Sequence, residues 1–239
     1  RDSPRRYLYP LLIAVVLLAM AGIWLFLQAS TPRLPLPAPA PVAAVAKPVA
    51  LPPAQMVDEQ QCQGCHQPQA KDWQGSHHQL AMQLATPATV PADFNNAAFQ
   101  GEGETTRFFR RGDEFWVNTP GGDGKAMDFK VAYTFGIAPL QQYLIDVGDG
   151  RLQALGVAWD TEKNRWFHLY PGQGVNFKNP LHWSKSSQNA NFMCVECHTT
   201  GYKRNFDAAG NTFDSQWNSL GVGCQACHGP ASNHVQWAA

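Results

Sequence analysis

Residues 191–201 read N-F-M-C-V-E-C-H-T-T-G, and residues 221–230 read G-V-G-C-Q-A-C-H-G-P. The same pattern, Cys-x-x-Cys-His, stands a third time far upstream, in Q-C-Q-G-C-H-Q-P at 61–68. The three copies use all six cysteines: Cys62, Cys65, Cys194, Cys197, Cys224 and Cys227. A histidine follows each pair at once: His66, His198 and His228. Chance placement of these residue types predicts about 0.005 such motifs in a chain of this length. A disulfide framework gives no reason for the histidines. Zinc takes Cys-x-x-Cys pairs, but a histidine abutting the second cysteine is not its spacing, and three such pairs overfill one site. Covalent haem needs this pattern. Two thiols three residues apart on a helical turn each form a thioether with one vinyl group, and the next imidazole ligates the iron. The spacing therefore predicts three covalently bound haem c groups.

Working outward, 18 basic residues balance 18 acidic ones. That balance argues against a nucleic-acid partner, which calls for a basic face. Tyr7 to Leu27 is 21 residues without a charge. As a helix it would span roughly 31 Å, one hydrocarbon thickness. Arg1, Arg5 and Arg6 precede it, and Tyr7, Tyr9 and Trp24 lie near its ends, as expected for a helix with a cytoplasmic N-terminus. A cleaved signal peptide with a site near Gln28-Ala29-Ser30 is the competing reading, and the run is longer than the usual apolar region of such a signal. We expect residues 1–30 to be a single transmembrane anchor in the inner (cytoplasmic) membrane. Residues 31–54 hold eight prolines between Pro32 and Pro53. They are expected as an extended linker. Thioether formation occurs on the exported side, so the haem domain is expected in the periplasm.

Residues 55–239 suffice for one domain. The stretch 71–85, K-D-W-Q-G-S-H-H-Q-L-A-M-Q-L-A, predicts an amphipathic helix through Trp73, Leu80, Met82 and Leu84, ending before Pro87. Residues 104–170 predict an inserted antiparallel β meander, with turns at Arg111-Gly112-Asp113, Gly121–Gly124 and Gly148-Asp149-Gly150 and a hairpin in W-D-T-E-K-N-R-W-F. From 181 onward short helices and loops carry motifs two and three, whose first cysteines are 30 residues apart. That separation predicts close contact between their haems, and the haem region is expected to be unfolded without haem. The fold class is α+β: a multihaem cytochrome c fold of short helices and loops, an inserted meander and one N-terminal transmembrane helix.

Each iron has a second axial position. A second histidine makes a six-coordinate electron-transfer haem, methionine raises the potential, and an empty position admits substrate. His77, His78, His168, His182 and His234 lie outside the motifs, and Met82 and Met193 are the methionine candidates.

C-Q-G-C-H followed by W-Q-G-S-H-H-Q-L-A-M resembles the opening of multihaem cytochromes of the cytochrome c-554/c-prime type. V-A-Y-T-F-G-I-A-P-L-Q-Q-Y-L, R-L-Q-A-L-G-V-A-W-D and R-W-F-H-L-Y-P are similar to the members fused to tetratricopeptide repeats. So are P-L-H-W, N-F-M-C-V-E-C-H and G-C-Q-A-C-H-G-P-A-S-N-H-V. The resemblance runs from about Cys62 to Trp237. It implies distal ligation by His78, from Trp-x-x-Ser-x-His, and by His234, from Gly-Pro-x-Ser-x-His. It also implies His182 in preference to His168. The tetrahaem relative has a fourth motif that this sequence lacks, and the repeat-fused relatives continue past the position of Ala239. The chain is read as a truncated member or as a short form.

These readings converge on a membrane-anchored periplasmic trihaem relay, a subunit of a larger membrane electron-transfer complex with other redox proteins as partners. No catalytic side chain is implied, since the haems carry the electrons. Two alternatives stand beside it: an oxidoreductase with one open haem acting on a small nitrogen or oxygen species, and a structural or docking subunit stabilised by haem.

Overall fold

The computed structural model describes residues 16–25, 51–101 and 103–239. Residues 16–25 form a helix, α1, and belong to a unit spanning 1–49 that is separate from the unit 50–239. Among the described residues no helix is long and apolar enough to cross a membrane. The rest of the expected anchor, and the linker up to residue 50, lie outside the described residues.

The second unit is α+β. Its centre is a nine-stranded antiparallel sheet in which β2 (Ala97–Gln100), β3 (Thr105–Arg111), β4 (Glu114–Pro120), β5 (Ala126–Phe135), β6 (Leu140–Asp146), β8 (Val157–Asp160) and β9 (Arg165–His168) follow in order. The antiparallel meander is thus as expected: the chain turns at Gly112, at Gly121–Gly124 and at Gly148–Gly150, and the last hairpin turns at residues 161–164. β5 is long enough to serve two neighbours in succession. Its first half pairs with β4, and its second half pairs with β6 after a register shift between Val131 and Tyr133. Two short strands are added off this path: β7 (Leu152–Ala154) on β6 and β1 (Met82–Leu84) on β5.

Side chains alternate across a strand, and in β6 both faces are covered. Tyr143 and Ile145 enter an aromatic core with Phe94, Phe108, Phe115, Val117, Val131 and Trp159. Trp166 stacks on Phe108 at 3.5 Å between ring centres, and Phe94 meets both Phe108 and Phe115 edge-on. Leu144, between them, points the other way. It packs with Met82, Leu152, Ala154, Ala190 and Val195, against Cys194, Tyr133, Phe135 and Trp217. The second core therefore fastens the second motif to the back of the sheet.

The helices are short: α2 (Glu59–Cys65), α3 (Gln67–Trp73), α4 (Ala190–Met193), α5 (Val195–His198), α6 (Cys224–His228) and α7 (Ser232–Ala238). Asp58 caps α2 by accepting from the Gln60 amide, and Pro68 stands in the first turn of α3. The helix expected over 71–85 stops early. α3 ends at Trp73, Gly75 turns the chain with φ +72, and Met82–Leu84 become a strand. The apolar spacing that suggested a helix is overridden by the free edge of β5, where Met82 pairs with Phe135 and Leu84 with Tyr133.

Candidate functional site

The three motifs are built alike. Each ends a short helical turn, and in each the first cysteine is half-buried and the second exposed. The fold brings motifs one and three together. The Cys62 and Cys224 thiols and a Glu59 carboxylate oxygen all lie within 4.8 Å of one another. Motifs two and three, expected to lie close from their 30-residue spacing, meet through their flanks: Thr199 and Thr200 pair with Leu220 and Ser219, and the Gly223 amide donates to the Thr200 hydroxyl at 2.8 Å. Motif one joins them from far away in sequence, with 162 positions between Cys62 and Cys224. The cause is a strap formed by residues 52–59. Buried Gln225 accepts from the Val57 amide at 2.9 Å and donates to the Val57 carbonyl at 2.7 Å, as a neighbouring strand would. Gln55 and Ser232 exchange backbone and hydroxyl bonds, Asn233 donates to the Pro52 carbonyl, and the Trp73 indole donates to the Val222 carbonyl.

The strap delivers His66 to the face of α7. The rings of His66 and His234 are stacked 6.2 Å apart, with 30° between their planes. The fold thus brings together two histidines that are 168 positions apart by number. On the outer side His234 is stacked by Trp237 at 6.1 Å.

His198 is oriented differently. Its Nδ1 donates to the Ala81 carbonyl at 2.8 Å, and Phe135 meets the ring edge-on at 5.4 Å. This bond assigns the proton to Nδ1 and leaves Nε2 as the lone-pair nitrogen, the arrangement that orients a metal-ligating histidine. The segment carrying His77 and His78 runs between motifs two and three. Ala81 reaches His198, and the His78 carbonyl accepts from the Val222 amide at 2.8 Å, two residues before Cys224. Both imidazoles are exposed.

His182 and His168 lie elsewhere. They line a small cavity beside the sheet with Glu104, Thr106, Thr119 and Trp183. His182 is 3 % exposed, with Nδ1 2.8 Å from the Ser184 hydroxyl and Nε2 3.1 Å from the Glu104 carboxylate. Burial pushes its pKa down, against the opposing pull of Glu104, so the imidazole is neutral, donating to Glu104 and accepting from Ser184. His168 accepts from the Tyr170 amide. Met82 is buried in the second core and Met193 is exposed.

The donor chemistry fits haem better than zinc. The one metal-capable cluster among the described residues takes a single cysteine from each of two pairs plus Glu59, which is not a Cys₄ or Cys₃His set. Burial, and next the neighbouring Glu59, raises the Cys62 thiol; burial, and next hydrogen bonding with Glu59, brings Cys224 up to about 11.

The family model for cytochrome c554 and c-prime matches residues 61–106 and 161–229. The two segments contain all three motifs. The chain is a multihaem c-type cytochrome. Its covalently bound cofactor is haem c, and the residues between the matched segments are most of the meander. Comparison with curated proteins gave no match. Among solved structures the cytochrome is similar to the outer cell wall cytochrome OcwA, with 18 % identity and a TM-score of 0.47 over 76 % of this chain. It spans about a third (33 %) of that protein's length.

Glu59 and Gln225 were not singled out by the sequence. Their partners lie more than 160 positions away, and no local pattern marks them.

Proposed function

We propose that this cytochrome is a membrane-anchored, periplasmic trihaem relay that passes electrons within a larger membrane complex. The observation that carries it is the meeting of His66 with His234, whose ring centres lie 6.2 Å apart, so that a second imidazole is at hand for the iron that His66 would ligate. The haems supply reversible one-electron chemistry when bound. The chain's own residues set their spacing, ligands and surroundings. Cys62, Cys65, Cys194, Cys197, Cys224 and Cys227 would hold three haems by thioethers, with His66, His198 and His228 as proximal ligands. His234 would be distal to the haem of His66. His78, carried on the segment between motifs two and three, is the distal candidate there. Packing of motif one on motif three, through Cys62 and Cys224, supports electron exchange between their haems.

The apolar run 7–27, with arginines before it, supports the anchor, and haem attachment on the exported side supports the periplasm. The alternative, an oxidoreductase with one open iron, draws on His182. Both its ring nitrogens are bonded to Ser184 and Glu104, so it is committed to the sheet cavity as placed.

EPR of the oxidised protein, with and without cyanide or nitrite, decides between them. The relay predicts low-spin signals that the added ligand does not change. A high-spin signal that converts on addition establishes an open iron and gives the lead to the oxidoreductase.

A further inference from the structure

Among the described residues Glu59 is the only buried carboxylate. It opens α2, the helix of the first motif, yet its oxygens are used by the third. Oε2 accepts from the Cys224 amide at 3.0 Å. Oε1 accepts from the Gln225 amide at 3.4 Å and from the Gln225 side-chain nitrogen at 3.3 Å. Every partner is a donor: these three N–H groups and, before haem attachment, the Cys224 thiol. Ionised carboxylate is an acceptor only, whereas the protonated acid would need an acceptor for its own proton. The donor set therefore selects the charged form. None of the ion pairs among the described residues includes Glu59, so its charge is solvated by neutral dipoles and is not cancelled.

Residue 223 is shaped to this carboxylate. A Cβ there would stand 2.6 Å from the Glu59 carboxyl carbon, closer than any side chain can be. Glycine is required by the approach of the acid, since its φ of -87 is one that any residue adopts. The Cys62 and Cys224 thiols, the first attachment points of motifs one and three, lie within 4.8 Å of the same carboxylate and of each other. Motif two packs on the back of the sheet and contributes neither of its cysteines to this cluster; its flank reaches the site only through the Thr200 hydroxyl, which accepts from the Gly223 amide.

We propose that Glu59 is a shared redox-tuning residue: a fixed negative charge held between the first and third haem attachments that lowers the reduction potential of both. A negative charge in a low-dielectric site stabilises ferric over ferrous iron, and its effect declines with distance. The haem of motif two feels it least. The inference rests on the haem reading above.

The test uses the full chain with its haems attached, counted first by intact mass. Absence of covalent haem overturns the haem reading itself. With haem attached, redox titration followed by absorbance and EPR compares wild type with Glu59→Gln and Glu59→Asp. In Glu59→Gln two of the three couples rise, the ferrous-to-ferric ratio at a given potential increasing about tenfold, which is 59 mV for a one-electron couple. The third couple stays in place. Glu59→Asp keeps the charge, so the same two couples move by less while the melting temperature still falls. Equal thermal losses in both variants with unmoved couples make Glu59 a helix cap only and overturn the proposal. So does an equal shift of all three couples. If Glu59→Gln fails to take up haem, Glu59→Asp decides: two couples displaced upward by less than tenfold support the inference, and none displaced overturns it.

Discussion

The meander and the haem-bearing segments solve the problem of holding a chain in opposite ways. In the meander, residues close in sequence pair with one another, and hairpin follows hairpin through tight turns. Its aromatic core is complete in itself, with Phe94, Phe108, Phe115, Tyr143 and Trp166 in mutual contact. The haem-bearing segments have helices of four to seven residues, too short to persist alone. They are held by polar bonds between residues far apart in sequence, such as Gln225 with Val57 and Glu59 with Cys224. Porphyrin is the natural complement to that construction, because it adds apolar surface and iron bonds where side chains are few. The family match follows the same division, since it covers the motifs and omits most of the meander.

The sharpest way to break this comparison is to withhold haem. Protein made without haem attachment is expected to lose residues 181–239 to limited proteolysis while a fragment containing the meander survives. Protection of the whole chain would show that the haem region folds unaided. Next in size, Phe108→Ala empties the centre of the aromatic core and should lower stability by about 3–5 kcal/mol. The spin states of the irons should be unchanged below the melting transition. A change at the irons would mean that the two regions are one cooperative structure.

Gln225→Ala asks the converse question. It strands the Val57 amide and carbonyl, at a cost of about 1–3 kcal/mol, read by chemical denaturation. The loss should appear as release of the 52–59 strap in hydrogen exchange, with the meander still protected. His234→Ala has little to break in the packing, but it should change the iron of His66 from low-spin to high-spin in EPR and leave the others alone. Smallest of all, Lys130→Ala removes an exposed partner of Glu114 on the outer face of the sheet. The melting curve and the haem spectra should both be unmoved, as surface pairs contribute little.

The meander was legible because its signals are local: Gly112, Gly121, Gly122, Gly124, Gly148 and Gly150 mark turns between alternating strands. The helix expected through Leu84 was not, because Met82–Leu84 answer to the edge of β5 and not to their own spacing. Of the distal candidates, His234 meets His66, whereas His182 is engaged by Glu104 and Ser184. Both histidines sit in segments that resemble the same family, and only their surroundings separate them.

The sequence by itself determined the cofactor, since three Cys-x-x-Cys-His motifs state a covalent chemistry at a spacing that needs no fold to be read. It also determined where hairpins turn. Tertiary structure decided which motif lies against which, which histidine faces which, and that Glu59 is buried between two attachment points. Those outcomes depend on contacts between residues some 160 positions apart, made by single side chains that bond to backbone groups, and no periodicity along the chain encodes such a meeting.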